Sequence, residues 1–220
     1  MTPKYTTAIA SLLLLSLQLA AAEPQLYETG PEEDAAFVRF VSALNDKLAI
    51  RADAGAQVEL TADIPATTWN AVRANAPLRA RLSSGNHSEE VQVSVQPGEF
   101  VTIAALPNNS NWSVNFGRES PDDFNAFRVS LGLLNLDPTC PAASIRLADT
   151  DIDIVKNVAP GDIQRRHINP LSLSVELFCS ENRMGTAIDL GTLRAGQRWT
   201  LLVHSKAQQS ALLPILDRLP

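Results

Sequence analysis

The sequence predicts an all-β protein made of two small β-sandwich domains in tandem, joined by a polar linker. Three observations predict this fold class. Apolar residues recur at every second position over short segments, as they do in half-buried strands. Turn-forming residues separate these segments at intervals of about 8 to 12 residues, a spacing typical of β-sandwiches. The same pattern then occurs twice, once on each side of a polar segment at 107–123.

The chain opens with a predicted export signal. Lys4 is the only charged residue before Glu23, and the apolar run from Ala8 to Leu19 covers about a dozen residues, against the roughly 20 that a membrane-spanning helix needs. The small residues at 20–22 predict cleavage between Ala22 and Glu23. We therefore expect residues 1–22 to be a signal peptide and the mature chain to act outside the cytoplasm. An uncleaved anchor is the alternative.

The first predicted domain, 23–106, contains five strand patterns separated by turn signals at 53–55, 83–86 and 96–98. These strand patterns cover 36–41, 57–60, 78–82, 90–95 and 100–103. Between them, 69–75 is predicted to form one helical turn ahead of Pro77.

The segment 107–123 is rich in Asn, Ser, Pro and Asp and is the predicted linker. The second predicted domain, 124–220, repeats the strand–turn pattern. Its strand patterns cover 126–131, 144–147, 152–155, 171–178, 187–190 and 199–203. Turn signals lie at 160–161, 182–185 and 195–196. Each half closes with a hairpin followed by a last apolar strand, so the two halves resemble one another in spacing.

The charge of the chain argues against nucleic acid as a partner. Acidic residues number 24 and basic residues 18, for a formal net charge of -6. Removing the signal peptide with its single Lys leaves 17 basic residues and a net charge of -7. A nucleic-acid-binding protein needs a concentrated basic face, and a surface of this charge repels a long polyanion on average.

The two cysteines, Cys140 and Cys179, allow only one intramolecular pairing. Export makes a disulfide between them chemically possible, and domains of this size are marginally stable without extra support. The closed loop of about 40 residues would stabilise the fold by roughly 4 kcal/mol in the chain-entropy model. Two buried free thiols are the alternative.

The sequence offers no convincing catalytic, metal-binding or cofactor-binding pattern. The three histidines lack metal-ligand spacing, and neither a phosphate-binding loop nor a nucleophile elbow is present. Ser84-Gly85-Asn86-His87 spells the name of a hydrolase superfamily, but those enzymes take the four residues from separate sequence blocks. Here the run lies between two strand patterns and is predicted to be a turn.

Two features are candidate contacts for a partner or a sugar. The cluster Arg165-Arg166-His167 could dock an acidic partner, although such clusters are more often solvated loops. Trp112 is flanked by polar residues and is the tryptophan most expected to be exposed, where it could stack on a sugar ring. Packing at the domain junction is the alternative for Trp112.

Several blocks of the sequence resemble the AlgF family of periplasmic alginate O-acetylation proteins. Gln25-Leu-Tyr27 and Phe37-Val-Arg-Phe40 are similar to the opening of that family. The segment from His167 to Phe178, with its Asn-Pro followed by an alternating strand, is the best match, and 193–203 is similar to the last strand of the family. The resemblance spans most of the mature chain but is specific only in these blocks.

The resemblance implies a two-domain periplasmic β protein without catalytic residues or cofactor. It also implies an adaptor role beside a membrane acyltransferase and periplasmic acetyltransferases that modify an exopolysaccharide. Two alternatives remain from the residues. One is a carbohydrate-binding module that contacts the polymer through Trp112. The other is an acetyl-transferring enzyme, for which Ser84 and His87 are the only literal candidates.

Overall fold

The computed structural model describes residues 34–53, 55–108, 111–120 and 125–218. The predicted signal peptide and its cleavage site lie outside these residues. Within the described ranges the chain forms sixteen β-strands and no helix, which confirms the all-β prediction. The first eight strands are β1 Ala35–Ser42, β2 Leu48–Ala52, β3 Val58–Leu60, β4 Asn70–Arg73, β5 Pro77–Ser84, β6 His87–Ser94, β7 Phe100–Asn108 and β8 Asn111–Glu119. The other eight are β9 Val129–Asn135, β10 Ala143–Leu147, β11 Asp153–Val158, β12 Ile163–Ile168, β13 Ser172–Cys179, β14 Asn182–Thr192, β15 Arg198–Lys206 and β16 Gln209–Asp217.

The strands form four four-stranded sheets, paired as two sandwiches. In the N-terminal sandwich the sheet β4-β1-β7-β8 faces the sheet β3-β2-β5-β6, and in the C-terminal sandwich the sheet β12-β9-β15-β16 faces β11-β10-β13-β14. Each sandwich encloses its own apolar core. The two predicted sandwiches are therefore present.

The two sandwiches repeat the same topology. Adding eight to each strand number of the N-terminal sandwich gives the strand order of the C-terminal one. Each repeat contains one parallel pair, β1 with β7 and β9 with β15, and each pair aligns six residues, 37–42 with 100–105 and 130–135 with 198–203. Residues at the same place in the two registers are therefore equivalent. The two halves, whose sequences are only weakly similar, share the same structure.

The central strands are buried on both faces. β9 is buried at every position, and β7 is buried from Phe100 to Leu106. One face of each strand packs inside its own sandwich, while the other meets the neighbouring sandwich. Such strands appear in sequence as continuous apolar runs, whereas β5, with one face in solvent, shows clean alternation.

Three local predictions were wrong. Strand β8 occupies 111–119 of the predicted linker and pairs with β7 over its whole length, so only the chain between β8 and β9 connects the sandwiches. The predicted helical turn at 69–75 contains strand β4, which pairs with β1. Residues 182–185, predicted to be a turn, belong to β14, and the turn lies just before them, at Ser180–Glu181.

Candidate functional site

The two sandwiches meet through the sheets β4-β1-β7-β8 and β12-β9-β15-β16, which occupy equivalent places in the two repeats. We call this contact the junction. Seven buried apolar residues form its own small core, separate from the cores of the two sandwiches. They are Val41, Ala104, Leu106, Leu134, Leu136, Leu202 and Ile215. The contact is close: a Cβ added to Gly117 of β8 would lie 2.6 Å from the Leu134 side chain of β9. The main chain also crosses it, where the Trp69 amide donates to the carbonyl of Arg218 at 2.9 Å.

Beside this apolar core the junction buries five charged side chains. Three are arginines, Arg39, Arg165 and Arg198, and two are carboxylates, Glu119 and Asp217. All five side chains are at most 10 % exposed. They come from both sandwiches, so the ion pairs among them connect the two halves of the chain.

Asp217 is one centre of this network. Arg39 donates to Asp217 Oδ1 at 2.5 Å, and Arg165 donates to Asp217 Oδ2 at 3.1 Å. The Thr200 hydroxyl donates to the same Oδ2 at 3.0 Å, and Arg198 Nε lies 3.5 Å from it. The Arg39 pair links β1 of one sandwich to β16 of the other.

Glu119, the last residue of β8, is the second centre. It accepts hydrogen bonds from Arg165 and, at 2.6 Å, from Arg198. Glu119 and Asp217 hold equivalent positions, because Glu119 pairs with the first residue of β7 and Asp217 with the first residue of β15. Thr102 and Thr200 are equivalent in the same way and each bonds an arginine.

Burial is costly for these groups and their mutual contacts offset the cost. Desolvation lowers the pKa of Arg39, and the charge and hydrogen bond of Asp217 act in the opposite direction. The Arg39 guanidinium also lies 4.3 Å from the Trp69 ring centre, a favourable cation–π distance. Removing one partner of such a buried pair strongly destabilises the folded protein, because the other charge is left buried without compensation.

The structure separates the three residues of the predicted basic cluster. They lie on strand β12, where successive side chains alternate between faces. Arg165 points into the junction with only 4 % of its side chain exposed, so its partners lie within the chain and it is not a solvated docking residue. Arg166 is exposed and donates to the carbonyls of Asp153 and Ile154. His167 is half-buried.

Trp112 is buried, which corrects the prediction that it is exposed. It is 6 % exposed and belongs to the core of the N-terminal sandwich. Its ring meets the His87 ring edge-to-face at 4.8 Å. It lines a cleft of about 500 Å³ together with Asp46, Asn86 and Asn111. A tryptophan in this position cannot offer its face to a sugar ring.

Ser84 to His87 form the predicted turn. Ser84 and His87 are the paired ends of the β5–β6 hairpin, and Gly85 at its tip has a φ of +57°, a value that favours glycine. His87 Nε2 lies 3.2 Å from a Glu89 oxygen. The run from Ser84 to His87 is therefore explained by the tight turn between β5 and β6.

The predicted disulfide is present. Cys140 and Cys179 are bonded, and the bond connects the segment after β9 to the end of β13 in the C-terminal sandwich. A disulfide of this kind indicates an oxidising compartment. In the described part of the chain no three metal-ligating side chains come together, and no helix there is long and apolar enough to span a membrane.

Sequence reasoning missed four of the five buried charges, Arg39, Glu119, Arg198 and Asp217. One of them had a visible sign: Arg39 interrupts the otherwise apolar segment Phe37–Phe40, where a charged side chain needs a buried partner. The partner lies 178 positions away, and nothing in the local pattern identifies it.

No protein-family profile and no curated protein matches the chain. Among solved structures, the C-terminal domain of AlgF from P. aeruginosa is 23 % identical and covers 41 % of this chain and 98 % of its own, with a TM-score of 0.35. The Bacillus anthracis TIE protein is 9 % identical over 78 % of this chain and 34 % of its own, with a TM-score of 0.28. A family 26 carbohydrate-binding module of Eubacterium rectale Amy13K, solved with maltoheptaose, is 8 % identical over 81 % of this chain and 96 % of its own, with a TM-score of 0.26. At such TM-scores these similarities bear on neither family nor function.

Proposed function

We propose that the protein is a non-catalytic periplasmic adaptor in the O-acetylation of an alginate-like exopolysaccharide. Its partners would be the periplasmic acetyltransferases and the membrane acyltransferase of that system. The proposal starts from the sequence resemblance at 25–27, 37–40, 167–178 and 193–203. The disulfide agrees with action outside the cytoplasm.

One observation carries the proposal: two blocks of the resemblance, 37–40 and 193–203, contribute to the junction, whereas 167–178 lies mostly in β13, in the other sheet of the C-terminal sandwich. Arg39 lies in the first described block and binds Asp217 across the junction. The block at 193–203 contains Arg198, Thr200 and Leu202, which belong to the same contact. These residues fix how the two sandwiches are placed, which is what an adaptor requires if it contacts different enzymes through its two halves.

The alternative, a carbohydrate-binding module, required an exposed Trp112 to stack on a sugar ring. It loses support because that side chain is buried. The enzyme alternative gains no support, since Ser84 and His87 are the paired ends of a hairpin turn and, among the described residues, His87 Nε2 lies beside Glu89 and makes no hydrogen bond to Ser84. The adaptor proposal needs neither feature.

The test is complex formation. Immobilised mature protein is expected to retain the acetyltransferases from a periplasmic extract of its own organism, and a deletion strain is expected to secrete polymer with reduced acetylation. Restoring the wild-type gene should restore acetylation, and restoring the Ser84→Ala/His87→Ala variant should do so equally well. Unchanged acetylation in the deletion strain, together with no retained enzyme, would reject the proposal.

A further inference from the structure

The outer face of the sheet β3-β2-β5-β6 carries three exposed arginines in an otherwise acidic chain. Arg51 comes from β2, and Arg79 and Arg81 come from the neighbouring strand β5. They line an open cleft of about 610 Å³, which we call the arginine cleft. Asp53, Glu90 and Gln92 complete its polar lining.

Two of these arginines are paired unfavourably. Arg51 and Arg81 are direct cross-strand partners, and like charges directly opposite one another destabilise a sheet. Arg81 is partly compensated by Glu90, which accepts from its guanidinium. Arg51 has no hydrogen-bond or ion-pair partner among the described residues. A guanidinium held in this position is available to an anion from outside.

The second sandwich provides an internal comparison. Ile50 and Ile145 are the buried third residues of β2 and β10, so Arg146 is the equivalent of Arg51, and its cross-strand partner Glu176 of β13 is the equivalent of Arg81. There the two arginines at this level each have a carboxylate: Arg146 pairs with Asp153 and Arg183 pairs with Glu176. The same position in the same fold thus accommodates a balanced row of charges, and the N-terminal sandwich departs from it by placing an arginine where the other repeat has a glutamate.

The lining of the arginine cleft also indicates the class of ligand. Protein interfaces draw most of their affinity from buried aromatic or aliphatic anchors in pockets. Ala80 and Val91 also line the cleft, but they are only 5 % and 9 % exposed, so the exposed side chains of the cleft are charged or amide groups. Arginine recognises a carboxylate with two parallel hydrogen bonds, and Gln92 can bond hydroxyl groups.

We infer that the arginine cleft binds a carboxylate-bearing polysaccharide, with the chain lying across β2, β5 and β6 and a carboxylate placed between Arg51 and Arg81. This inference rests on the proposed function, since it adds direct contact with the acidic polymer to the adaptor role. It also refines the expectation from net charge: the chain as a whole repels polyanions, while this face attracts one.

The test is a binding titration of the mature protein with soluble oligouronates of defined length. Neutral cello-oligosaccharides of the same length serve as the uncharged control ligand. The variant Arg51→Gln/Arg81→Gln is expected to weaken oligouronate binding about tenfold or more, because two charge-assisted contacts are lost. The matched control is Arg128→Gln/Arg194→Gln, which removes the same charge from exposed positions of the C-terminal sandwich.

Support requires that wild type and control bind oligouronates alike, that the cleft variant does not, and that cello-oligosaccharides bind none of them. Three results would overturn the inference: no binding by wild type, equal loss in both variants, or equal binding of polyglutamate, which would mean a general anion site. Capture of acetyltransferases by the cleft variant separates the two proposals. Capture without oligouronate binding by wild type rejects only the inference, and oligouronate binding without capture rejects only the adaptor role.

Discussion

At the scale of single residues, Asp217 is the side chain on which the junction most depends. It is fully buried and accepts from Arg39, Arg165 and Thr200. Asp217→Asn keeps the shape and removes the charge, so three guanidinium groups are left with one carboxylate. We expect the free energy of unfolding to fall by about 3–5 kcal/mol, the range for breaking a buried ion pair. Urea denaturation followed by circular dichroism measures it.

The control for Asp217 is an ion pair in solvent. Lys47 lies 3.4 Å from Glu59 with 72 % and 51 % of the two side chains exposed. Lys47→Gln should therefore change stability by less than about 1 kcal/mol. If the two variants lost equal stability, burial would not be the source of the effect at the junction.

His204 on β15 makes the free energy of unfolding depend on pH. Burial lowers its pKa below the ordinary value, with Lys206 adding to the shift, while the bond to the Ser205 carbonyl and the charge of Asp137 oppose it. The unfolded chain therefore binds a proton more readily than the folded one. The folded protein keeps its full stability at pH values above the pKa of His204 in the unfolded chain, about 6.5. It loses stability as the pH falls toward the lower pKa of His204 in the folded chain.

We expect the midpoint of urea unfolding to fall between pH 7.5 and pH 5 in the wild-type protein, and to fall less in His204→Gln. A His204→Gln protein with an unchanged slope would show that other groups carry the acid sensitivity.

At the scale of elements, sequence patterning located most strands, including the buried central ones, and missed those whose polar residues look like a loop. Alternation predicted β5, β6 and β13 close to their observed positions. β8 was missed because its polar residues look like a loop, although it pairs along all of β7. β12 was missed because Arg165 lies in it, and an arginine facing a buried carboxylate 46 positions away cannot be distinguished locally from a solvated one.

The same limit explains the error at Trp112. Polar neighbours suggested exposure, but in a strand the neighbours of a buried residue point the other way. By contrast, the disulfide was predictable, because two cysteines admit a single pairing. The sequence therefore predicted the two sandwiches and the disulfide inside the C-terminal one, and not the contact between the sandwiches.

Gly132 of β9 leaves the space that the Arg165 side chain occupies in the junction. It is the equivalent of Arg39 in the other repeat, and a Cβ there would lie 2.7 Å from an Arg165 guanidinium nitrogen. Gly132→Ala should lower stability by about 1–3 kcal/mol, as overpacking does. In an Arg165→Met background the added methyl has space, so the double-mutant cycle should show a coupling of about 0.5–3 kcal/mol. Additive losses would contradict the contact.

The disulfide acts on the C-terminal sandwich alone. Its two cysteines are 39 positions apart, and the chain-entropy model gives about 4 kcal/mol for a loop of this length. The Cys140→Ala/Cys179→Ala variant is expected to lose stability of that order in urea denaturation. Wild type treated with a reductant should match it, and a reduced wild type as stable as the oxidised protein would refute the assignment of this stability to the bond.

At the scale of the whole molecule, the protein is a tandem repeat joined through equivalent sheets. The two carboxylates and two threonines of the junction are equivalent residues, whereas Arg39 and Gly132 are not alike, and their difference gives Arg165 its space. The outer faces differ in the same way, with balanced charges on one sandwich and an unbalanced arginine row on the other. Repetition supplies the architecture, and the departures from it supply the junction and the arginine cleft.

If the junction makes the two sandwiches one cooperative unit, wild type should unfold in a single transition. Leu202 is fully buried in the junction and outside both sandwich cores, so Leu202→Asp should separate the transitions without unfolding either half. In a Trp199→Phe background, tryptophan fluorescence reports the N-terminal half through Trp69 and Trp112, and circular dichroism reports both halves. The two probes should coincide for wild type and for Phe127→Asp, a control at an 85 % exposed position, and diverge for Leu202→Asp. Coincident curves in the Leu202→Asp variant would mean that the two sandwiches are not coupled through this contact.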